Sequence, residues 1–92
     1  MPKLRRLNGL EIVRILEQQF GFQLVRTRGS HHVMRRTVTK TAEDGTEYEE
    51  IQTINIPVHG SKILATGMLK QLYRDMLRYF AEDEIRRYFY TD

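Results

Sequence analysis

Residues 22–57, FQLVRTRGSHHVMRRTVTKTAEDGTEYEEIQTINIP, form the stretch that decides the fold. Three runs of β-favouring residues are separated by two turn signals, Gly29-Ser30 and Asp44-Gly45. Such turns connect neighbouring antiparallel strands, and the second of them predicts a turn over residues 41–47. The stretch therefore predicts two consecutive hairpins, with strands at residues 22–28, 31–39 and 49–57.

Alternation along these strands assigns side chains to the two faces of the sheet. In the first strand Phe22, Leu24 and Arg26 alternate with polar and apolar residues at 23, 25 and 27. Because successive side chains in a strand point to opposite faces, Arg26 is expected on the face of Phe22. For the same reason only one of His31 and His32 can lie on the open face of the sheet.

Helical patterns flank the three strands. Asn8 followed by Glu11 is a capping-box pair, and apolar residues at helical spacing then predict a helix from Gly9 to Gln19 or Phe20, ended by Gly21. Thr66 is the expected N-cap of a second helix, whose apolar stripe comprises Leu69, Leu72, Tyr73, Met76, Leu77 and Phe80. A short third helix is expected within residues 81–90.

The order of these elements predicts an α+β protein. One domain over residues 1–92 would have a three-stranded antiparallel sheet with two helices on one face, in the order α-β-β-β-α, plus a short C-terminal helix. The other face of the sheet would be open to solvent or to a partner. An acidic hairpin tip at about residues 41–50 and a C-terminal extension at about residues 81–92 are additions to this core.

Composition narrows the classes of function. The chain has 92 residues and no cysteine, which excludes disulfides and thiolate chemistry. No apolar run is long enough for a membrane span, and residues 1–9 lack an apolar signal core, so a cytoplasmic protein without membrane association is expected. Residues 1–40 carry nine Lys or Arg and two acidic residues, whereas residues 41–50 carry five acidic residues and no base. The basic first part favours an anionic partner such as nucleic acid.

The candidate chemical groups are histidines and basic side chains. Histidine can transfer protons near neutral pH, and arginine or lysine can bind phosphate and offset charge in a phosphoryl transition state. RNA supplies its own nucleophile, the ribose 2′-OH. A small basic domain with one accessible histidine could therefore cleave RNA without a cofactor, and the adjacent histidines lack metal-ligand spacing. All three histidines, His31, His32 and His59, lie in or beside predicted turns, and four arginines, Arg26, Arg28, Arg35 and Arg36, surround the first two in the sequence.

Two sequence blocks resemble the HicA family of toxin mRNA interferases. The first is Gly21-Phe22 followed by residues 25–34, VRTRGSHHVM; the second is residues 54–60, INIPVHG. Residues 67–72, GMLKQL, are similar to the start of the family's last helix. The resemblance extends from about Leu10 to Met76.

This resemblance implies a double-stranded-RNA-binding-like fold and a metal-independent endoribonuclease that cleaves mRNA. It also implies a type II toxin–antitoxin system in which a HicB-type antitoxin masks a catalytic histidine. Carried over to this chain, the candidate catalytic residue is His31 or His32, because the family contains both registers; His31 is preferred since it follows Gly-Ser directly. The candidate RNA-binding residues of this hypothesis are Arg26, Arg28, Ser30, Arg35, Arg36, His59 and Lys62. The lengthened hairpin over residues 37–52 and the segment after Tyr79 depart from the usual family pattern.

Two other readings remain open from the sequence. One is a non-catalytic RNA-binding module of the same fold, because no second acid accompanies the histidine. The other is an interaction protein that forms a homodimer through its aromatic C-terminal segment.

Overall fold

The computed structural model describes residues 2–91; Met1 and Asp92, the ends of the expected domain 1–92, lie outside the described residues. The expected α+β class and its α-β-β-β-α core are confirmed. Among residues 2–91 no helix is both long and apolar enough to span a membrane. The elements in chain order are β1 (Lys3–Leu4), α1 (Gly9–Gln19), β2 (Gln23–Arg28), β3 (His31–Thr41), β4 (Glu47–Pro57), α2 (Thr66–Met76), α3 (Glu82–Phe89) and β5 (Tyr90–Thr91).

Helix α1 begins with the expected capping box. The Asn8 side-chain oxygen accepts from the Glu11 N–H at 2.8 Å, and the Glu11 carboxylate accepts from the Asn8 N–H at 2.9 Å. Both contacts satisfy donors that have no partner within the helix. The helix then buries Ile12, Val13 and Leu16 against the sheet.

Helix α2 differs from its prediction at both ends. Ala65, with extended backbone angles, is the N-cap residue, and Thr66 is the first helical residue, so the assignment of Thr66 as N-cap is wrong. The helix ends at Met76. The predicted apolar stripe continued to Leu77 and Phe80, but Leu77 is 40% exposed and does not belong to the buried face. Phe80 lies in the connection to α3, where its ring packs 4.7 Å from that of Phe20.

The C-terminal segment packs within its own chain. Helix α3 buries Ile85 and Phe89, and β5 pairs with β1, two short strands that the sequence did not predict. The ring of Tyr88 contacts that of Phe20 edge-on, with centroids 5.4 Å apart. Tyr90 packs in the same way against a ring of α2, so most of the aromatic segment already has partners in the chain.

The sheet has the order β2-β3-β4 and consists of the two predicted hairpins. Gly29, at the first position of the β2–β3 turn, has φ +57°, which suits the type II′ turns of two-residue hairpins. The β3–β4 hairpin is longer than predicted, since β3 continues to Thr41 and β4 begins at Glu47. Its tip is closed by the Ala42 N–H, which donates to the Thr46 carbonyl at 2.8 Å.

The far half of this hairpin has no third strand. β2 pairs with β3 only as far as Arg35, so residues 36–41 pair with β4 alone. An ion pair of 3.1 Å joins Lys40 to Glu50 across the two strands. A hydrogen bond from the Gln52 amide, together with Lys40, holds the pKa of the Glu50 carboxyl below its usual value.

The register of the sheet separates a helix face from an open face. Met34 lies opposite Ile54 and faces the helices with Ile56, and all three are buried in the core. Odd-numbered residues of β3 and β4 therefore lie on the open face. This division determines which polar side chains meet.

Gly9 sets the distance between α1 and the end of β4. A Cβ atom at this position would clash with the Pro57 carbonyl oxygen and would lie 2.9 Å from Cγ2 of Val58. The N-terminus of α1 can therefore approach β4 this closely only because residue 9 has no side chain.

We expect Gly9→Ala to lower the free energy of unfolding by about 1–3 kcal/mol, because the new methyl group must displace backbone atoms of β4. Gly67→Ala in α2 is the matched control, since no atom lies within 4 Å of a Cβ there. That change should leave stability unchanged or raise it by up to about 1 kcal/mol. Urea unfolding followed by circular dichroism measures both; equal effects would contradict the close approach.

Candidate functional site

A β-bulge in β2 decides which arginines share a face with a histidine. Leu24 pairs with Met34, but Arg26 rather than Val25 pairs with Val33, so the register shifts by one residue. One extra residue reverses the faces for the rest of the strand. The prediction that Arg26 shares the face of Phe22 is therefore wrong: Arg26 lies on the open face.

The bulge builds a cleft on the open face at the turn end of the first hairpin. Its volume is about 360 Å³, in the size range of small-ligand sites, and it is lined by Arg26, Arg28, His31, Val33 and Asn55. Arg28 is the cross-strand partner of His31, and Asn55 that of Val33. Directly opposed residues have Cβ atoms about 5 Å apart, so the guanidinium of Arg28 can reach a group bound at the imidazole of His31.

Val33 forms an apolar floor in this cleft. It is only 6% exposed, although it lies on the face without helices and is not part of the main core cluster. Its cross-strand neighbours are Arg26 and Asn55, and the aliphatic stem of an arginine can cover an apolar residue while its charge stays in water. The charged groups around the cleft are thus held on a packed surface.

The two adjacent histidines lie on opposite faces. His31 is exposed and lines the cleft. His32 lies between Thr27 and Ile56 on the helix face and is half-buried. Its Nδ1 atom is buried and has no hydrogen-bond partner among the described residues.

The two adjacent arginines of β3 divide in the same way. Arg35 lies on the open face between Gln23 and Thr53 and is exposed. Arg36 lies on the helix face, where its Nε donates to the side-chain oxygen of Gln52 at 2.8 Å.

Two guanidinium nitrogens of Arg36 are hydrogen-bonded within the fold. A second guanidinium nitrogen donates to the Phe20 carbonyl at 3.0 Å, and the group lies 4.5 Å from the ring centre of Phe80. Gln52, its acceptor, is 1% exposed and donates in turn to Glu50 at 2.7 Å. This chain ties the end of α1 to β3, to β4 and to the connection before α3.

The other candidate residues surround the cleft without lining it. Ser30 holds the turn in place, since its carbonyl accepts from the Val58 N–H at 2.6 Å. His59 and Lys62 lie in the loop that follows Pro57, the cross-strand partner of His31, and both are exposed. The His59 carbonyl accepts from the Lys62 N–H at 3.1 Å, which closes this loop into a turn.

The cationic side chains at the cleft carry no internal counter-charge. Among residues 2–91 the ion pairs are Lys40–Glu50 and Arg86–Glu82, so Arg26, Arg28 and Arg35 have no acidic partner there. In the same part of the chain, no three His, Asp or Glu side chains are grouped as metal ligands. The arrangement can bind an anion and offer it one imidazole.

Asn55 is the lining residue that sequence reasoning missed. It lies beside His31 on the open face, because Val33 is its cross-strand partner and His31 is two residues from Val33. The pairing register of β4 against β3, had it been known, would have predicted this position. A neutral amide adds a donor and an acceptor to a cleft whose other polar groups are basic.

The fold and this cleft define a small α+β domain whose open face carries arginines without an acidic partner among residues 2–91. A family model described as the HicA toxin of bacterial toxin–antitoxin matches residues 9–77, which is most of the chain. The chain therefore belongs to the HicA toxin family, as the sequence motifs indicated. Searches of curated proteins and of solved structures each gave no match.

The division of the two arginines predicts different effects on stability. Arg36→Gln should lower the free energy of unfolding by about 1–3 kcal/mol, because it removes the contact with Phe80 and leaves Gln52 short of a buried donor. Arg35→Gln, one residue away on the open face, should change it by no more than about 0.5 kcal/mol. Urea unfolding compares the two, and an equal loss would show that Arg36 is not structural.

Proposed function

We propose that this chain is the toxin of a type II toxin–antitoxin pair and an endoribonuclease that cleaves mRNA in the cytoplasm without a metal ion. One observation carries the proposal: an exposed histidine, His31, lies in a cleft with an amide and two arginines that have no acidic partner among residues 2–91. Family membership supports the toxin role. The cleft supports the chemistry.

The reaction that suits this cleft is internal transfer of the RNA phosphate. The ribose 2′-OH loses its proton and its oxygen attacks the adjacent phosphorus, while the bond to the 5′ oxygen of the next nucleotide breaks. The products are a 2′,3′-cyclic phosphate and a 5′-OH end. His31 acts as the base that accepts the 2′-OH proton, as the acid that protonates the leaving 5′ oxygen, or as both in turn.

The neighbours of His31 supply charge and orientation. Arg28, directly across from it, is placed to bind the phosphate and to offset the charge that develops on its oxygens. Arg26 extends the same contact along β2, whereas the expected phosphate-binding residue Arg35 lies outside the lining of the cleft and is left out of this set. Asn55 offers hydrogen bonds to a ribose or a base, and Val33 provides the apolar surface beneath.

The remaining candidates take supporting positions. Ser30 fixes the turn that carries His31, and His59 with Lys62 forms the rim toward the rest of the RNA. Arg36 is left out of the phosphate-binding set, because its guanidinium is occupied by Gln52, Phe20 and Phe80.

The cognate partner in this proposal is a HicB-type antitoxin. Inhibition requires only that the partner cover the open face near His31 and offer acidic groups to Arg26 and Arg28. The absence of internal counter-charges for these arginines in the described chain supports such a contact.

A non-catalytic RNA-binding module of the same fold is the second candidate. It is favoured by one feature of the cleft: His31 is the one histidine in its lining, so no second acid–base group accompanies it there. Such a module would bind RNA with a steep salt dependence and leave it intact.

The two adjacent histidines provide a matched pair for testing the catalytic proposal. His31→Ala should lower the RNA cleavage rate at least about 100-fold, because it removes the proton-transfer group. His32→Ala should retain cleavage, because its side chain lies on the other face of the sheet. The assay follows a fluorescent oligonucleotide with the purified chain, and mRNA integrity and growth after induction in cells.

RNA binding separates the outcomes of this test. Tight, salt-dependent binding by both variants and by the wild type, with no cleavage by any of them, would support the binding module. Cleavage that survives in His31→Ala but is lost in His32→Ala, with both variants folded, would assign the chemistry to the helix face and overturn the role of His31.

A further inference from the structure

The lengthened hairpin leaves one strand edge of the sheet open. Gln23, the first residue of β2, pairs with Arg35, and no residue of β2 lies beside β3 beyond that point. Residues 37–41 of β3 therefore pair with β4 alone. This edge has the sequence Thr-Val-Thr-Lys-Thr, which combines β-branched residues with a lysine that is paired to Glu50. An open edge of this kind is a template for another strand.

Hydrogen-bond geometry shows which backbone groups are available. The Ala42 N–H donates to the Thr46 carbonyl, and hydrogen-bonded and non-hydrogen-bonded pairs alternate along an antiparallel ladder. In the register of β3 and β4, residues 38 and 40 therefore bond to β4. Thr37, Thr39 and Thr41 direct their N–H and C=O groups outward, and all three residues are exposed.

The opposite edge of the hairpin is less suited to pairing. There the outward groups belong to Glu47, Glu49, Ile51 and Thr53. The Tyr79 hydroxyl already accepts from the Thr53 N–H at 3.3 Å, and the two glutamates repel a like-charged strand. The two edges of one hairpin therefore differ in what they can accept.

We propose that the open β3 edge, residues 37–41, pairs antiparallel with the same edge of a second copy of this chain. A two-fold axis through Thr39 places Thr37 of each copy opposite Thr41 of the other, and the two sheets become one. This inference does not depend on the proposed ribonuclease activity.

Charge complementarity identifies the second copy as the occupant. A notch of about 480 Å³ lies where β2 begins beside the open edge, and its lining includes Arg35, which has no acidic partner among residues 2–91. In the antiparallel arrangement the hairpin tip of one copy, which carries Glu43 and Asp44, ends at this notch of the other. Each copy therefore supplies both the acidic tip and the basic notch, as a two-fold interface requires.

Thr39→Pro tests the pairing directly. The Thr39 N–H faces outward, so proline removes a donor at the open edge and leaves the bonds between β3 and β4 in place. We expect the wild type to be a dimer at about 100 µM in sedimentation velocity and the variant to raise the dissociation constant at least about tenfold. Glu49→Pro, the cross-strand equivalent on the other edge, is the matched control and should leave the dimer intact.

Two further measurements keep the test independent of the folding of the variants. In the wild type, the amides of Thr37 and Thr39 should exchange hydrogen slowly at high protein concentration and fast at low concentration, whereas the amide of Glu49 should exchange fast at both. Glu43→Lys should weaken the dimer at low salt and lose this effect at high salt. A wild type that is monomeric at about 100 µM, a dimer equally sensitive to both prolines, or concentration-independent exchange at Thr39 would overturn the proposal.

Discussion

The bulge at Val25 is the constraint on which the rest of the structure depends. Phe22 must lie in the core, and strict alternation from it would turn Arg26 and Arg28 toward the helices as well. The register shift between Leu24 and Arg26 reverses this, so the same short strand buries a phenylalanine at one end and presents two arginines on the open face at the other. Burial of two unpaired guanidinium groups would cost several kcal/mol. The cleft exists because one extra residue avoids that cost.

Strand β3 carries structure and chemistry on alternate residues. Its helix face bears His32, Met34 and Arg36, which face the core or are bonded within it. Its open face bears His31, Val33 and Arg35. The contact of Arg36 with Gln52 joins β3 to β4 on the helix face, while the opposite face of the same strand carries the cleft.

Local signals in the sequence were sufficient for most of the fold. The capping box at Asn8, the two turn dipeptides and the apolar spacing of α1 act over a few residues, and each of these elements lies close to where it was predicted. The bulge was not visible, because it reflects how a whole strand meets both a core and a neighbour. The strands β1 and β5 are two residues long, and each pairs with the other across almost the whole length of the chain. No local pattern in the sequence predicts such a pair. Asn55 lines the cleft because the register of β4 against β3 places it opposite Val33. That register cannot be predicted from one segment of the sequence alone.

The separation of charge along the hairpin explains how an acidic segment coexists with a cleft suited to anions. At about 3.3 Å per residue, Thr41 lies about 30 Å along β3 from His31. Screening in physiological salt acts over about 8 Å, so the carboxylates of the tip contribute little to the potential at Arg26 and Arg28. The ladder between β3 and β4 maintains this distance, because it continues without interruption to the pair Thr41–Glu47. Within one chain the acidic tip therefore lies at one end of the sheet and the arginines of the cleft at the other.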